Sequence, residues 1–180
     1  MNKKKLLNKK IISYFLTLTI VLGFVTLPSK EVSAKVSEHI VISEAYGGGG
    51  NAGATYTHDF VELYNPTDQD ISIDGWQVQY ASATGVFGTT NNTSLNGIIK
   101  SKGYFLIQQG KGAAGTLALP EPDVTGQINM AGARFKLQLL DKDTKVVDYL
   151  GVDSTLFEGA GPAPVISNST SAQRKDNNGG

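Results

Sequence analysis

The chain has no cysteine among its 180 residues. That excludes disulfide bonds, and an exported chain without them fits a bacterial setting better than an animal secretory pathway. Histidine is nearly as scarce, with only His39 and His58. A zinc or hydrolytic centre built on imidazoles needs two or three that converge. Tryptophan occurs once, at Trp76. Helix signals are almost absent too. Gly, Asn, Thr, Ser and Val dominate, and turn clusters recur at intervals of about 8–15 residues, which suits an all-β sandwich or barrel.

What is present begins with a basic start, "MNKKKLLNKK", and an apolar run from Ile11 to Leu27. The small residues Ser33 and Ala34 follow Val32. This is the order of a secretory signal peptide, with cleavage expected after Ala34. The apolar run, about 17 residues, is only marginally long enough to span a bilayer. No membrane segment is expected after its removal. The full chain carries 16 Lys+Arg and 16 Asp+Glu; removing residues 1–34 takes away six lysines and one glutamate. The remaining 10 basic and 15 acidic residues give a net charge of −5. Such a chain has no global attraction for polyanions, so direct nucleic-acid binding is not expected. The "KSK" at Lys100–Lys102 is too short to make a basic patch.

Along the mature chain, "HIVISEAY" reads as a first strand and "GGGGNAGATYTH" as a flexible loop. "DFVELYN" reads as a second strand, with Val61 and Leu63 on one face and Phe60, Glu62 and Tyr64 on the other. Pro66 stops the pairing because it has no N–H. Ile71 and Ile73 share a face in a very short strand, and Asp74-Gly75 turns the chain. Trp76, Val78 and Tyr80 then line one side of the next strand, with the indole expected as a core anchor. "GIIKSKGYFLIQQ" reads as strand, turn, strand. "RFKLQLLDKDTKVVDYLG" reads as a hairpin in which Phe135, Leu137 and Leu139 alternate with Lys136 and Gln138, the chain turns over Asp141–Thr144, and Val147 and Tyr149 return. Seven to nine strands are expected in all, with almost no helix.

"VISEAY", "DFVELYNPTDQDISIDGWQVQY", "KSKGYFLI", "KVVDYLG" and "TSAQRK", in that order, resemble a bacterial lamin-tail domain over about Val41 to Arg174. The resemblance implies an immunoglobulin-like antiparallel β-sandwich over residues 35–174. Residues 175–180 then start a polar linker or mark a truncated end. In secreted bacterial proteins such a module usually stands N-terminal, often before an endonuclease/exonuclease/phosphatase-type domain, another hydrolase domain or further surface modules. Animal relatives form the tail of nuclear lamins.

Constellations for chemistry are few. "GKGAAG" at 110–115 matches G-x-G-x-x-G, but Pro120 and Pro122 forbid the helix that would hold a pyrophosphate, so it reads as a loop. Asn91 and Asn168 begin glycosylation-type triplets that read as turns. No nucleophile-elbow sequence is present. The best polar cluster is Glu44, Asp59 and Glu62, with His58 beside it. If the first two strands pair, the carboxylates approach each other and favour a shared cation or proton. Calcium suits such an oxygen-rich extracellular site; the alternative is structural hydrogen bonding that fixes the glycine loop. No other cofactor and no catalytic residue are expected.

The reading is a non-catalytic module of an exported bacterial protein, for targeting, display or binding of an unknown extracellular or cell-surface ligand. The alternative is the N-terminal piece of a secreted hydrolase of the endonuclease/exonuclease/phosphatase type, its catalytic domain lying beyond residue 180. A polysaccharide-binding module would need aromatics such as Tyr46, Tyr56 or Phe87 on one face.

Overall fold

The computed structural model describes residues 38–175. The signal segment with its cleavage after Ala34, and residues 176–180, lie outside the described residues. Eleven strands follow in order: β1 (Val41–Tyr46), β2 (His58–Tyr64), β3 (Ile71–Ser72), β4 (Gln77–Ser82), β5 (Asn92–Ser94), β6 (Ile98–Ile99), β7 (Tyr104–Lys111), β8 (Val124–Thr125), β9 (Phe135–Leu140), β10 (Val146–Val152) and β11 (Ala172–Gln173). Four of them (β3, β6, β8 and β11) have two residues each, which leaves seven of three or more.

They form a five-stranded sheet, β11-β1-β2-β7-β8, a four-stranded sheet, β10-β9-β4-β5, and the small pair β3-β6. All pairings are antiparallel except β7 with β8. Each large sheet turns one face inward. Ile42, Val61, Leu63, Phe105 and Ile107 from one meet Val78, Phe135, Leu137, Leu139, Leu150 and Val152 from the other in one buried core. The period of two in "DFVELY" and "FKLQLL" produces these faces directly.

The Asn-Pro that ends β2 has a structural reason. Asn65 is fully buried, and all its side-chain capacity is used. Its amide donates to the carbonyls of Gln69 (2.7 Å) and Ile99 (3.0 Å), while its oxygen accepts from the Thr67 N–H (3.0 Å) and hydroxyl (2.7 Å). One side chain thus shapes the turn and ties it to β6.

Three expectations change. The strand starts at Gln77, so Trp76 precedes it; the indole is half-buried against the core rather than enclosed in it. The glycine loop is packed, not free: Gly47–Gly50 are buried. A Cβ on Gly49 would lie 2.0 Å from the His58 backbone, and Gly50 holds φ +66°. Glycine is required there because two backbones touch. Finally, a register shift between Val146 and Asp148 sets Asp148, Leu150 and Val152 inward. Val147 and Tyr149, read as the returning apolar face, are only half-buried. A bulge moves every later side chain to the other face.

Phe135→Ala should cost about 3–5 kcal/mol, as for an enclosed aromatic, and Trp76→Ala only about 1–3. Urea unfolding of both variants checks this, and equal losses would mean that the indole is as enclosed as the phenyl ring.

Candidate functional site

The acidic residues of "SEAY" and "HDFVELY" separate by strand parity. Glu44 and Glu62 are register partners on β1 and β2. Asp59 lies three residues before Glu62 on the same strand and so faces the other way. The structure therefore brings two of the three carboxylates together and not the third. Asp59 is buried; its two oxygens accept the N–H groups of Gly49 and Met130, each at 2.8 Å. It holds the glycine loop to the segment before β9. Burial pushes its carboxyl up to about 6, against those two donors. Burial also raises Glu62, the Ser43 hydroxyl at 2.6 Å lowers it, and the charge of Glu44 adds to the rise. His58 bonds the neighbouring Thr57 hydroxyl at 2.9 Å.

Glu44 and Glu62 stand on the outer face of the five-stranded sheet, which is rich in rings. Tyr46 and Phe60 are register partners with centroids 5.5 Å apart, and Tyr56 stands edge-on to both. Four residues beyond Phe60, Tyr64 pairs with Tyr104 at 4.7 Å. Phe87 is elsewhere: it lies under Lys136 of β9, whose ammonium is 5.5 Å from the ring centre.

A second polar centre, unforeseen in the sequence, joins the sheets. Asp148 is buried, with both oxygens 2.8 Å from one Arg174 nitrogen. One oxygen also accepts the Ile42 N–H at 2.6 Å and the other the Tyr149 N–H at 2.8 Å. Arg174 donates from Nε to the Ile42 carbonyl at 3.1 Å. His39 and Glu158 approach the same carboxylate, giving three groups with ligand atoms within 4.8 Å of one another. Both Asp148 oxygens are already engaged by the Arg174 guanidinium. Burial, with a bond from Glu158, pushes the Asp148 carboxyl up to about 7 against the pull of Arg174 and the Ile42 N–H. The one signal of this centre in the sequence is a lone carboxylate inside the apolar "KVVDYLG".

Two cavities flank these groups. One, of about 710 Å³, lies beside β10 and β11, with Leu150, Phe157, Pro162, Pro164 and Ile166 among its walls. Its Arg174 and Glu158 are engaged with Asp148 and His39. The other, of about 280 Å³, is lined by Glu44, Tyr56 and several hydroxyl groups.

The family model for the Lamin Tail Domain matches residues 33–154, about two thirds of the chain. The chain belongs to the lamin tail domain family. No curated protein matches it. Within this lamin tail domain, Glu44, Glu62 and Asp148 fall inside the matched segment, whereas Arg174 and β11 complete the sheets from beyond it.

Arg174→Met should destabilise the lamin tail domain by about 3–5 kcal/mol, because it strands a buried carboxylate. Adding Asp148→Leu should recover most of that loss; a double variant as unstable as the single one would show that the pair is not coupled. Stability should also depend on pH in a defined direction. An acid raised in the folded state binds more protons folded than unfolded between its two pKa values, so stability falls as pH rises through that window. The window runs from 3.8 to about 6 for Asp59. The exposed Asp70 and Asp74 are lowered by hydrogen bonds, chiefly from Lys100 and Gly97, so their contribution is lost as pH falls below 3.8. Melting temperature should therefore decline from about pH 4 to about pH 6. A steady rise over that interval would contradict the assignment.

Proposed function

We propose that this lamin tail domain is a non-catalytic binding module of an exported bacterial protein, acting at the cell surface or outside the cell. The observation that carries this reading is how the acids are divided. Asp59 and Asp148, which have the perturbed titrations expected of acid–base groups, are enclosed and hold backbone N–H groups in place. The outer face of the five-stranded sheet instead offers rings and a carboxylate pair to a partner. Export is supported by the basic, apolar and small-residue order of residues 1–34. Among the described residues, no helix is long and apolar enough to cross a membrane. The Glu44–Glu62 pair alone supplies two carboxylates to a calcium ion, too few without water or loop carbonyls.

Expression of the full chain in a Gram-positive host tests both parts. The expected product outside the cytoplasm begins at Lys35, by N-terminal mass spectrometry, and leaves DNA, RNA and aryl phosphodiesters intact with or without divalent metal. An unprocessed chain kept in the cytoplasm would refute export. Hydrolysis abolished by Glu62→Gln would refute the non-catalytic reading. Calcium in excess over chelator should leave the melting temperature unchanged if the pair holds no metal.

A further inference from the structure

The smaller cavity has the more specific chemistry. Glu44, Thr55, Ser169 and Ser171 close it around the rings of Tyr46, Tyr56 and Phe60. Tyr46 and Phe60 are buried, and Tyr46 is further fixed by its hydroxyl, which donates to the Asn168 carbonyl at 2.5 Å. Tyr56 is half-buried and forms the accessible ring wall. Glu62 is engaged by Ser43. Glu44 accepts no hydrogen bond and joins no ion pair among the described residues.

An ionised carboxylate only accepts, and a second carboxylate across the strand pair adds negative charge. The hydroxyls of Thr55, Ser171 and Tyr56 can donate or accept. A complementary ligand therefore carries several O–H donors, a flat C–H surface for the ring, and no negative charge. Phosphates, sulfates and uronates bring acceptors and like charge, and fit badly. An apolar ligand would leave Glu44 buried without a donor.

We propose that this pocket binds one pyranose unit of a neutral, β-1,4-linked polysaccharide. The Tyr56 ring stacks on the sugar face, and Glu44 accepts from its hydroxyls. The neighbouring geometry extends the site. Phe60, Glu62 and Tyr64 line one face of β2, and the Tyr64–Tyr104 pair lies roughly 13 Å along the strand from Phe60 at about 3.3 Å per residue. Tyr104 is 55 % exposed, with its ring against Tyr64. An extended, flat glycan chain running along the sheet meets both ring clusters. The inference rests on the binding-module reading and names its ligand class.

Affinity gel electrophoresis of the purified full chain provides the test, with hydroxyethyl cellulose or glycol chitin in the gel and polygalacturonate as the acidic comparison. Retardation is expected with at least one neutral polymer and not with polygalacturonate. Tyr56→Ala and Glu44→Gln should each weaken it at least tenfold while the melting temperature shows that both variants fold. Glu44→Gln keeps the side-chain shape, so its loss of binding would report charge and acceptor capacity alone. Migration unchanged by both neutral polymers overturns the glycan assignment. If the secreted protein nevertheless stays on the cell surface, the module reading survives without it. Retardation that both variants retain in full, or retardation by polygalacturonate alone, also overturns the site.

Discussion

Beside the shared apolar core, the buried Asp148–Arg174 ion pair fastens β10 of one sheet to β1 of the other. Asp148 leans inward from β10 and takes the Ile42 N–H of β1. Arg174 takes the Ile42 carbonyl and both Asp148 oxygens, and its own N–H bonds the Ser43 carbonyl at 2.8 Å. Enclosing two charges is unfavourable unless each finds its partners, and here backbone groups complete both. Because Arg174 follows β11 directly, the same contacts keep that two-residue strand on the edge of β1. Ser169 and Ser171, which immediately precede β11, are thereby carried over Glu44 and Tyr46. The small pocket is held by this fastening together with Asn168, which bonds Tyr46, Asn51 and the Ala52 carbonyl.

Asp59 does comparable work at the other side of β1. Its oxygens fix the Gly49 backbone and the Met130 backbone together. The glycine loop then returns through Gly50, whose N–H bonds the Tyr56 carbonyl at 2.9 Å. That return sets the Tyr56 ring against Tyr46 and Phe60. A pocket wall made from a loop is thus as firmly placed as one made from a strand. Asp59 and Asp148 spend their oxygens on backbone N–H groups, whereas among the described residues the carboxylate of Glu44, half-buried on the outer face, accepts none.

Much of the fold was legible because strand parity is a local property. "DFVELY" and "FKLQLL" declare their inner faces by alternation, and Asn65-Pro66 and Asp74-Gly75 declare the turns. The same parity rule, applied to the spacing of three between Asp59 and Glu62, already parts those two carboxylates. What sequence could not show depends on contacts far along the chain. The bulge that turns Asp148 inward is specified by Arg174, 26 residues later, and by Ile42, 106 residues earlier. Trp76 is half-buried because the turn at Gly75 places it before the strand rather than in it. The glycine run looks flexible by composition, and only the nearness of Gly112 and His58 shows that it is packed. The pocket joins Glu44 to Ser171, which no local pattern links.

The distance in sequence between Arg174 and Ile42, 132 residues, also makes this contact a costly one to close during folding. Loop-closure entropy must be overcome before so remote a contact returns any stability. While the chain emerges from a ribosome, the edge of β1 stays unpaired until β11 has appeared. The edge of β1 is therefore completed late, after the β2–β7 and β9–β10 pairs can form. On the export reading proposed above, a sheet edge that pairs only once β11 is made leaves the domain incomplete while its earlier strands are handed to the export machinery.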